Sequence, residues 1–229
     1  MNDQDSVKIT ILYDNNCLDG FKASWGFSCL IETNENTIIF DTGWDGNILL
    51  HNLESSQVNI EKIDLIVLSH SHWDHIGGLT HILPLITNPK VVLLKSFSEN
   101  MKKEIRARAE ILEIENCEQI MKGIWTTGEL GDKIKEQALV VEIGKEKGNI
   151  LLTGCAHPDL KSIIQMAQTT NDGDLKAIIG GFHDSEELKM LEGIDRVIPC
   201  HCTQKMSEIK TIYPDSYREC AAGQVFNFP

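Results

Sequence analysis

The segment "IDLIVLSHSHWDHIGGL", residues 63–79, sets the tightest limit on what this chain can become. Its first half is a near-continuous apolar run, the pattern of a strand covered on both faces. The run ends in His70, His72, Asp74 and His75. A strand that stops at such a cluster reads as a rigid support delivering functional groups into the loop at its tip. His70 and His72 are two positions apart, so both imidazoles project the same way from an extended segment. Asp74 and His75 are adjacent and project differently, which suits a second site close to the first. Imidazole and carboxylate donors suit zinc, and also iron or manganese. The bland alternative is a polar loop whose histidines bond locally; four ligand-type residues at this spacing favour the metal. Gly77 and Gly78 allow a close backbone approach just after His75.

The rest of the chain alternates in a way that fits such a support. Residues 7–13 alternate polar and apolar and predict a strand. "SCLIET" and "TIIFDTG", separated by "NEN", predict a hairpin. Residues 45–53 have helical spacing, with Asp45 at the start, and a second helix is expected from about Ile76 to Leu83, ending near Pro84. "KVVLLK" reads as a buried strand and "SENMKKEIRARAE" as a surface helix capped by Ser98. Strands are expected over 119–127 and 138–143, with "TGELGD" between them, and in "NILLTGC". Beyond these come a helix over 159–169, a strand in "LKAIIGGF", a helix over 185–192, a strand in "DRVIPC", a helix over 207–212 and a last strand in "GQVFNF". Strand pairs dominate early and strand–helix alternation later, so two sheets packed face to face with helices outside satisfy both halves. No linker or low-complexity stretch divides residues 1–229, and a single domain is expected.

The net charge of −13 argues against nucleic acid, which selects a basic face. "MNDQDSVKIT" lacks the basic and apolar regions of a signal peptide, and no apolar run approaches the length of a membrane span. A cytoplasmic protein without membrane contact is the expectation. The seven cysteines are odd in number and scattered, so thiols or metal ligation are expected over a disulfide framework.

"SHSHWDHIGGL" resembles the HxHxDH signature of the metallo-β-lactamase superfamily. "IIFDTGWDGNIL" is similar to the strand-Asp-Thr-Gly segment that precedes the signature, "NILLTGC" to a later strand ending in Thr-Gly-Asp, and "VIPCHC" to the strand that delivers a final histidine. The resemblance implies an α/β (α+β) fold, a four-layer αββα sandwich of two mixed sheets with one or two metals at one edge. "LYDNN", "WGFSCLIET", "TTGELG", "LLTGCAHP", "GGFH" and "PCHCT" resemble one branch in particular. That branch includes the archaeal dihydropterin–ribofuranosylaminobenzene phosphate synthases and proteins called simply metal-dependent hydrolases.

The resemblance implies that His70 and His72 bind one metal, and that Asp74, His75 and His201 bind the other. The usual Gly-His motif is replaced by "TTGELG", which makes His157 the substitute third histidine of the first site. Cys155 falls where a bridging aspartate usually sits, either as a thiolate ligand or as a small buried residue. Asp41 resembles a carboxylate that buttresses a metal-binding histidine, with a turn aspartate as the equal alternative. His183 is a candidate proton donor or substrate contact, and Asp74 would also orient the attacking water. At most one thiol of Cys200 and Cys202 is expected to face the site. Trp25, Trp44 and Trp73 lie beside motif segments and either fill the core or stack on a flat ring. The expected activity is hydrolysis of a small anionic phosphoester, ester or lactone at a one- or two-metal site, zinc foremost and iron or manganese next. The alternatives are a pterin-branch transferase joining a dihydropterin methyl diphosphate to an arylamine phosphate, and a non-catalytic metal-binding or sensing protein.

Overall fold

The computed structural model describes residues 6–144, 148–171 and 173–229. The N-terminal stretch read for a signal peptide lies partly outside these residues. The chain forms two compact units, Met1–Ile114 with Ala221–Pro229, and Glu115–Cys220.

The first unit holds strands β1 (Val7–Tyr13), β2 (Ser28–Glu32) and β3 (Thr37–Phe40), helix α1 (Gly46–Ser55), β4 (Leu65–Val67), the short helices α2 (Trp73–Ile76) and α3 (Leu79–Ile82), β5 (Lys90–Leu94), α4 (Glu99–Arg106) and β6 (Glu110–Ile114). These six strands lie in chain order across one sheet, and the C-terminal strand Val225–Phe228 is added outside β1. The C-terminal strand, β1, β2 and β3 pair antiparallel, while β3, β4, β5 and β6 pair parallel. Each parallel step is a crossover carrying helix, as parallel pairing demands. Ile66 and Val67 of β4 and Val91 to Leu94 of β5 are fully buried, which explains their unbroken apolar spelling.

Asp45 starts α1 by accepting a hydrogen bond from the Asn47 amide. That bond is the main reason its carboxyl sits below the ordinary range. The cap therefore stabilises fully above the unfolded carboxyl value of about 4 and is lost as pH falls through the lowered folded value. Asp45→Ala is expected to lower stability by about 1 kcal/mol at neutral pH, with the difference vanishing in acid. Urea unfolding at the two pH values checks this.

The second unit holds β7 (Glu118–Met121), β8 (Ile124–Thr126), β9 (Leu139–Glu142), β10 (Asn149–Thr153), α5 (Leu160–Thr170), β11 (Leu175–Gly181), β12 (Arg196–Cys200) and α6 (Met206–Ile212). Its sheet runs β12-β11-β10-β9-β8-β7. β10, β11 and β12 are parallel, so their C-terminal ends share one edge; β7 to β10 pair antiparallel. α5 buries Leu160, Ile163, Ile164 and Ala167, the spacing of one helical face, against Leu151, Ile178 and Val197 of that sheet.

Several expected elements differ. The helix expected from Ile76 begins at Trp73, inside the ligand run, and breaks at Gly77–Gly78. At the break the Gly78 amide donates to the Gly43 carbonyl and the Asp74 carbonyl accepts from the Phe27 amide, and only glycine fits so close: a Cβ on Gly77 would come 2.1 Å from the Trp44 carbonyl oxygen, and one on Gly78 2.3 Å from that of Thr42. The chain then passes Pro84 in a 3₁₀ turn, Leu83–Leu85. The surface helix stops at Arg106, and residues 110–114 form the edge strand β6. The single strand expected over 119–127 is a hairpin, β7 and β8. Residues 188–191 form a 3₁₀ turn where a helix over 185–192 is expected. Among the described residues, no helix is long and apolar enough to cross a membrane.

Candidate metal centre

In the first unit the parallel pairing of β3 and β4 sets their two tips side by side. Asp41 follows β3 and Ser69–His70 follow β4. Asp41 is fully buried and left-handed, φ 59°. Its Oδ1 accepts from the Ser69 amide at 2.7 Å, and its Oδ2 accepts from the Ser69 hydroxyl at 2.6 Å. The same Oδ2 lies 2.6 Å from His75 Nδ1, with both side chains fully buried. The Ser69 hydroxyl, its proton given to Asp41, lies 2.9 Å from His70 Nδ1. Asp41 thus acts on His75 directly and on His70 through Ser69.

The consequence is a tautomer. A carboxylate at Nδ1 puts the ring proton there and turns the Nε2 lone pair outward, the arrangement that raises an imidazole's strength as a metal ligand. His70 Nε2 stands 3.1 Å from His72 Nδ1. Two nitrogens on one tetrahedral zinc stand roughly 3.3 Å apart, given metal–nitrogen lengths of about 2.0–2.1 Å. The His70 and His75 ring centroids are 4.2 Å apart. The donor set therefore fits a divalent cation. Asp74 Oδ2 accepts from the Trp25 indole at 2.9 Å.

In the second unit β10, β11 and β12 each lead into a left-handed, non-glycine residue: Ala156 at φ 58°, His183 at φ 44° and His201 at φ 45°. Such backbone costs about 1–3 kcal/mol apiece and gathers at functional sites. The loop after β10 carries Cys155 and His157, and it is pinned by Glu136. That fully buried carboxylate accepts from the amides of Gly154, Cys155 and Ala156 on Oε1, at 3.0, 2.8 and 3.0 Å, and from His157 on Oε2, at 2.9 Å. The His157 and His183 ring centroids are 5.1 Å apart. His183 Nδ1 lies 2.9 Å from Asp184 Oδ1, and this bond holds the Asp184 carboxyl below its usual range. The His201 ring nitrogen and the Cys155 and Cys202 sulfurs lie within 4.8 Å of one another. The Cys200 thiol donates instead to the Ile198 carbonyl at 3.3 Å.

Each unit thus assembles its own part of the expected set: His70, His72, Asp74 and His75 in the first; Cys155, His157, His183 and His201 in the second. Sequence reasoning missed Ser69 and Glu136; of Cys200 and Cys202 it expected at most one thiol to face the site, and it is Cys202 whose sulfur lies with Cys155 and His201. Ser69 was signalled only by its place inside the motif, and Glu136 by nothing in its neighbourhood. The three tryptophans do not fill the core. Trp25, Trp44 and Trp73 are 54%, 54% and 66% exposed.

The metallo-beta-lactamase superfamily profile matches residues 26–108. A solved metal-dependent hydrolase of the beta-lactamase superfamily shares the fold, at TM-score 0.78 and 24% identity, over 96% of this chain and 98% of its own. The chain has two mixed sheets with helices, matching the α/β sandwich fold of that hydrolase.

Among curated proteins it is similar to the 7,8-dihydropterin-6-methyl-4-(beta-D-ribofuranosyl)-aminobenzene-5'-phosphate synthase of Methanocaldococcus jannaschii, at 28% identity over 91% of each chain. A second, uncharacterized protein of that organism is 29% identical over 85% of this chain and 90% of its own. Human tRNase Z, short form, shares the fold at TM-score 0.67 and 13% identity, over 97% of this chain and 99% of its own.

Proposed function

We propose that the protein is a metal-dependent hydrolase of a small anionic phosphoester, ester or lactone, acting as one domain. The observation that carries this reading is the buried Asp41–Ser69 relay, which holds Nδ1 of His70 and His75 and so fixes the orientation of both rings. His70, His72, Asp74 and His75 are assigned as metal ligands in the first unit, and Cys155, His157 and His201 in the second. When bound, such ions supply Lewis-acid activation of water at neutral pH and neutralise an anionic leaving group. Zinc is the first choice, iron or manganese the next.

The chain's own residues supply the rest. The Asp74 carboxylate orients the attacking water and is itself steadied by the Trp25 indole. His183, its Nδ1 held by Asp184, presents Nε2 as a proton donor to the leaving group. The net charge of −13 supports a small substrate over nucleic acid. Stripping metal with a chelator is expected to reduce turnover of an aryl phosphate, aryl ester and lactone panel at least tenfold. Zinc, manganese or iron should restore it. Unchanged turnover in protein shown by elemental analysis to be metal-free would refute the reading.

A second reading, a pterin-branch transferase, is favoured by the relatedness to the Methanocaldococcus jannaschii synthase and by the three exposed indole faces. In it the metals hold a departing diphosphate, and the indoles suit a flat ring. Incubation with a dihydropterin methyl diphosphate and an arylamine phosphate separates the two: coupled product supports transfer, hydrolysis products alone support the first reading.

A further inference from the structure

We infer that Cys202 is a metal ligand, forming with Cys155 and His201 a seat of two thiolates and one imidazole that makes the centre selective for zinc-like cations. The inference rests on the metal-dependent reading above and deepens it.

Three observations converge, all within the second unit. The Cys155 sulfur, the Cys202 sulfur and a ring nitrogen of His201 lie within 4.8 Å of one another. Donor atoms on one tetrahedral zinc are roughly 3.3–3.8 Å apart, given Zn–S lengths of about 2.3 Å and Zn–N lengths of about 2.0–2.1 Å. The three groups therefore need only small rotations to share an ion.

The second observation is the turn that brings Cys202 there. β12 ends at Cys200, and His201 follows at φ 45°, so the extended alternation stops. Without that turn Cys202 would continue the face of Cys200, whose thiol is engaged by the Ile198 carbonyl.

The third is Gly181, the last residue of β11, the strand between the two cysteine-bearing tips. A Cβ there would come 2.5 Å from the Cys202 sulfur and 3.2 Å from the Cys155 Cα. Only glycine leaves the channel through which the Cys202 thiol reaches toward Cys155; the sulfur lies 3.9 Å from the Cys155 carbonyl oxygen.

On binding, each thiol releases its proton to solvent and gives a sulfur lone pair to the cation, while neutral His201 gives a nitrogen lone pair. Thiolates prefer zinc, cadmium and cobalt over magnesium, calcium and manganese. The site thus reads the softness of the ion as well as its charge.

Cobalt(II) is the probe. Full-length protein stripped of metal and loaded anaerobically with cobalt should show sulfur-to-cobalt charge-transfer absorption in the near ultraviolet, beside the visible bands of low-symmetry cobalt. Cys202→Ser is expected to remove about half of the charge-transfer intensity per bound cobalt, and Cys155→Ser the other half. Gly181→Ala should act like Cys202→Ser, and circular dichroism establishes that each variant is folded. Zinc-over-manganese preference should drop at least tenfold in the double cysteine variant. Wild-type protein that binds cobalt without charge-transfer absorption, or a Cys202→Ser spectrum identical to wild type, overturns the inference and leaves the hydrolase reading intact. Wild-type protein that binds no cobalt, zinc or manganese overturns both.

Discussion

Replacing Glu136 with alanine is expected to lower stability by on the order of 4 kcal/mol. The reason is a count of donors rather than of charges. Four amides, those of Gly154, Cys155 and Ala156 in buried bonds and that of His157 in a partly buried one, point at this one carboxylate. Each N–H left without an acceptor costs about 1–3 kcal/mol, less whatever water entering the cavity recovers. The loss is a large share of a net stability of about 5–15 kcal/mol. Glu136→Gln is the informative companion. It keeps one oxygen for three amides and sets an NH2 group against the fourth, so it should cost far less and disturb the His157 end alone. Urea midpoints for both variants, with the His157 ring resonances followed by NMR, test this. Equal midpoints for wild type and Glu136→Ala would show that water replaces the carboxylate without loss.

The second large effect is on metal affinity. Asp41→Asn is expected to weaken cation binding by about 10–100-fold, the usual consequence of losing a group that orients a ligand imidazole. Asparagine tolerates the left-handed backbone at φ 59°, so the fold survives while the charge and one acceptor oxygen are removed. His75 then loses the anion at Nδ1, and the Ser69 hydroxyl loses the acceptor that sets its own direction. Asp41→Ala adds backbone strain and should bind more weakly still. Competition against a chromophoric chelator measures both, and affinities within twofold of wild type would reduce Asp41 to a turn residue.

The contrast between these two residues shows what was readable in the chain. Strands β4, β5, β10 and β11 are spelled as unbroken apolar runs because their residues are buried on both faces, and each was expected near its observed place. The ligand run at 70–75 was legible because its members are neighbours in sequence. Asp41 was legible only through resemblance, since the groups it orders lie 28 and 34 residues away. Glu136 was not legible at all: its partners lie 18 to 21 residues on, and a carboxylate between Lys135 and Gln137 looks like solvated surface. Of Cys200 and Cys202 at most one thiol was expected to face the site, and strand alternation could not say which, because the strand ends at Cys200. Helix limits went astray at Gly77 and Gly78, where contact with a distant backbone segment decides the outcome.

The pairing of Val7 with Phe228 has a consequence for how the chain comes into being. At ~5–20 residues per second, β1 waits roughly 10–40 s after leaving the ribosome before its outer neighbour is synthesised. Glu115–Cys220 is an uninterrupted stretch and finishes emerging first. During that interval the free edge of β1 is an open template for other nascent chains. The order of birth thus makes the last strand the closure of the first sheet.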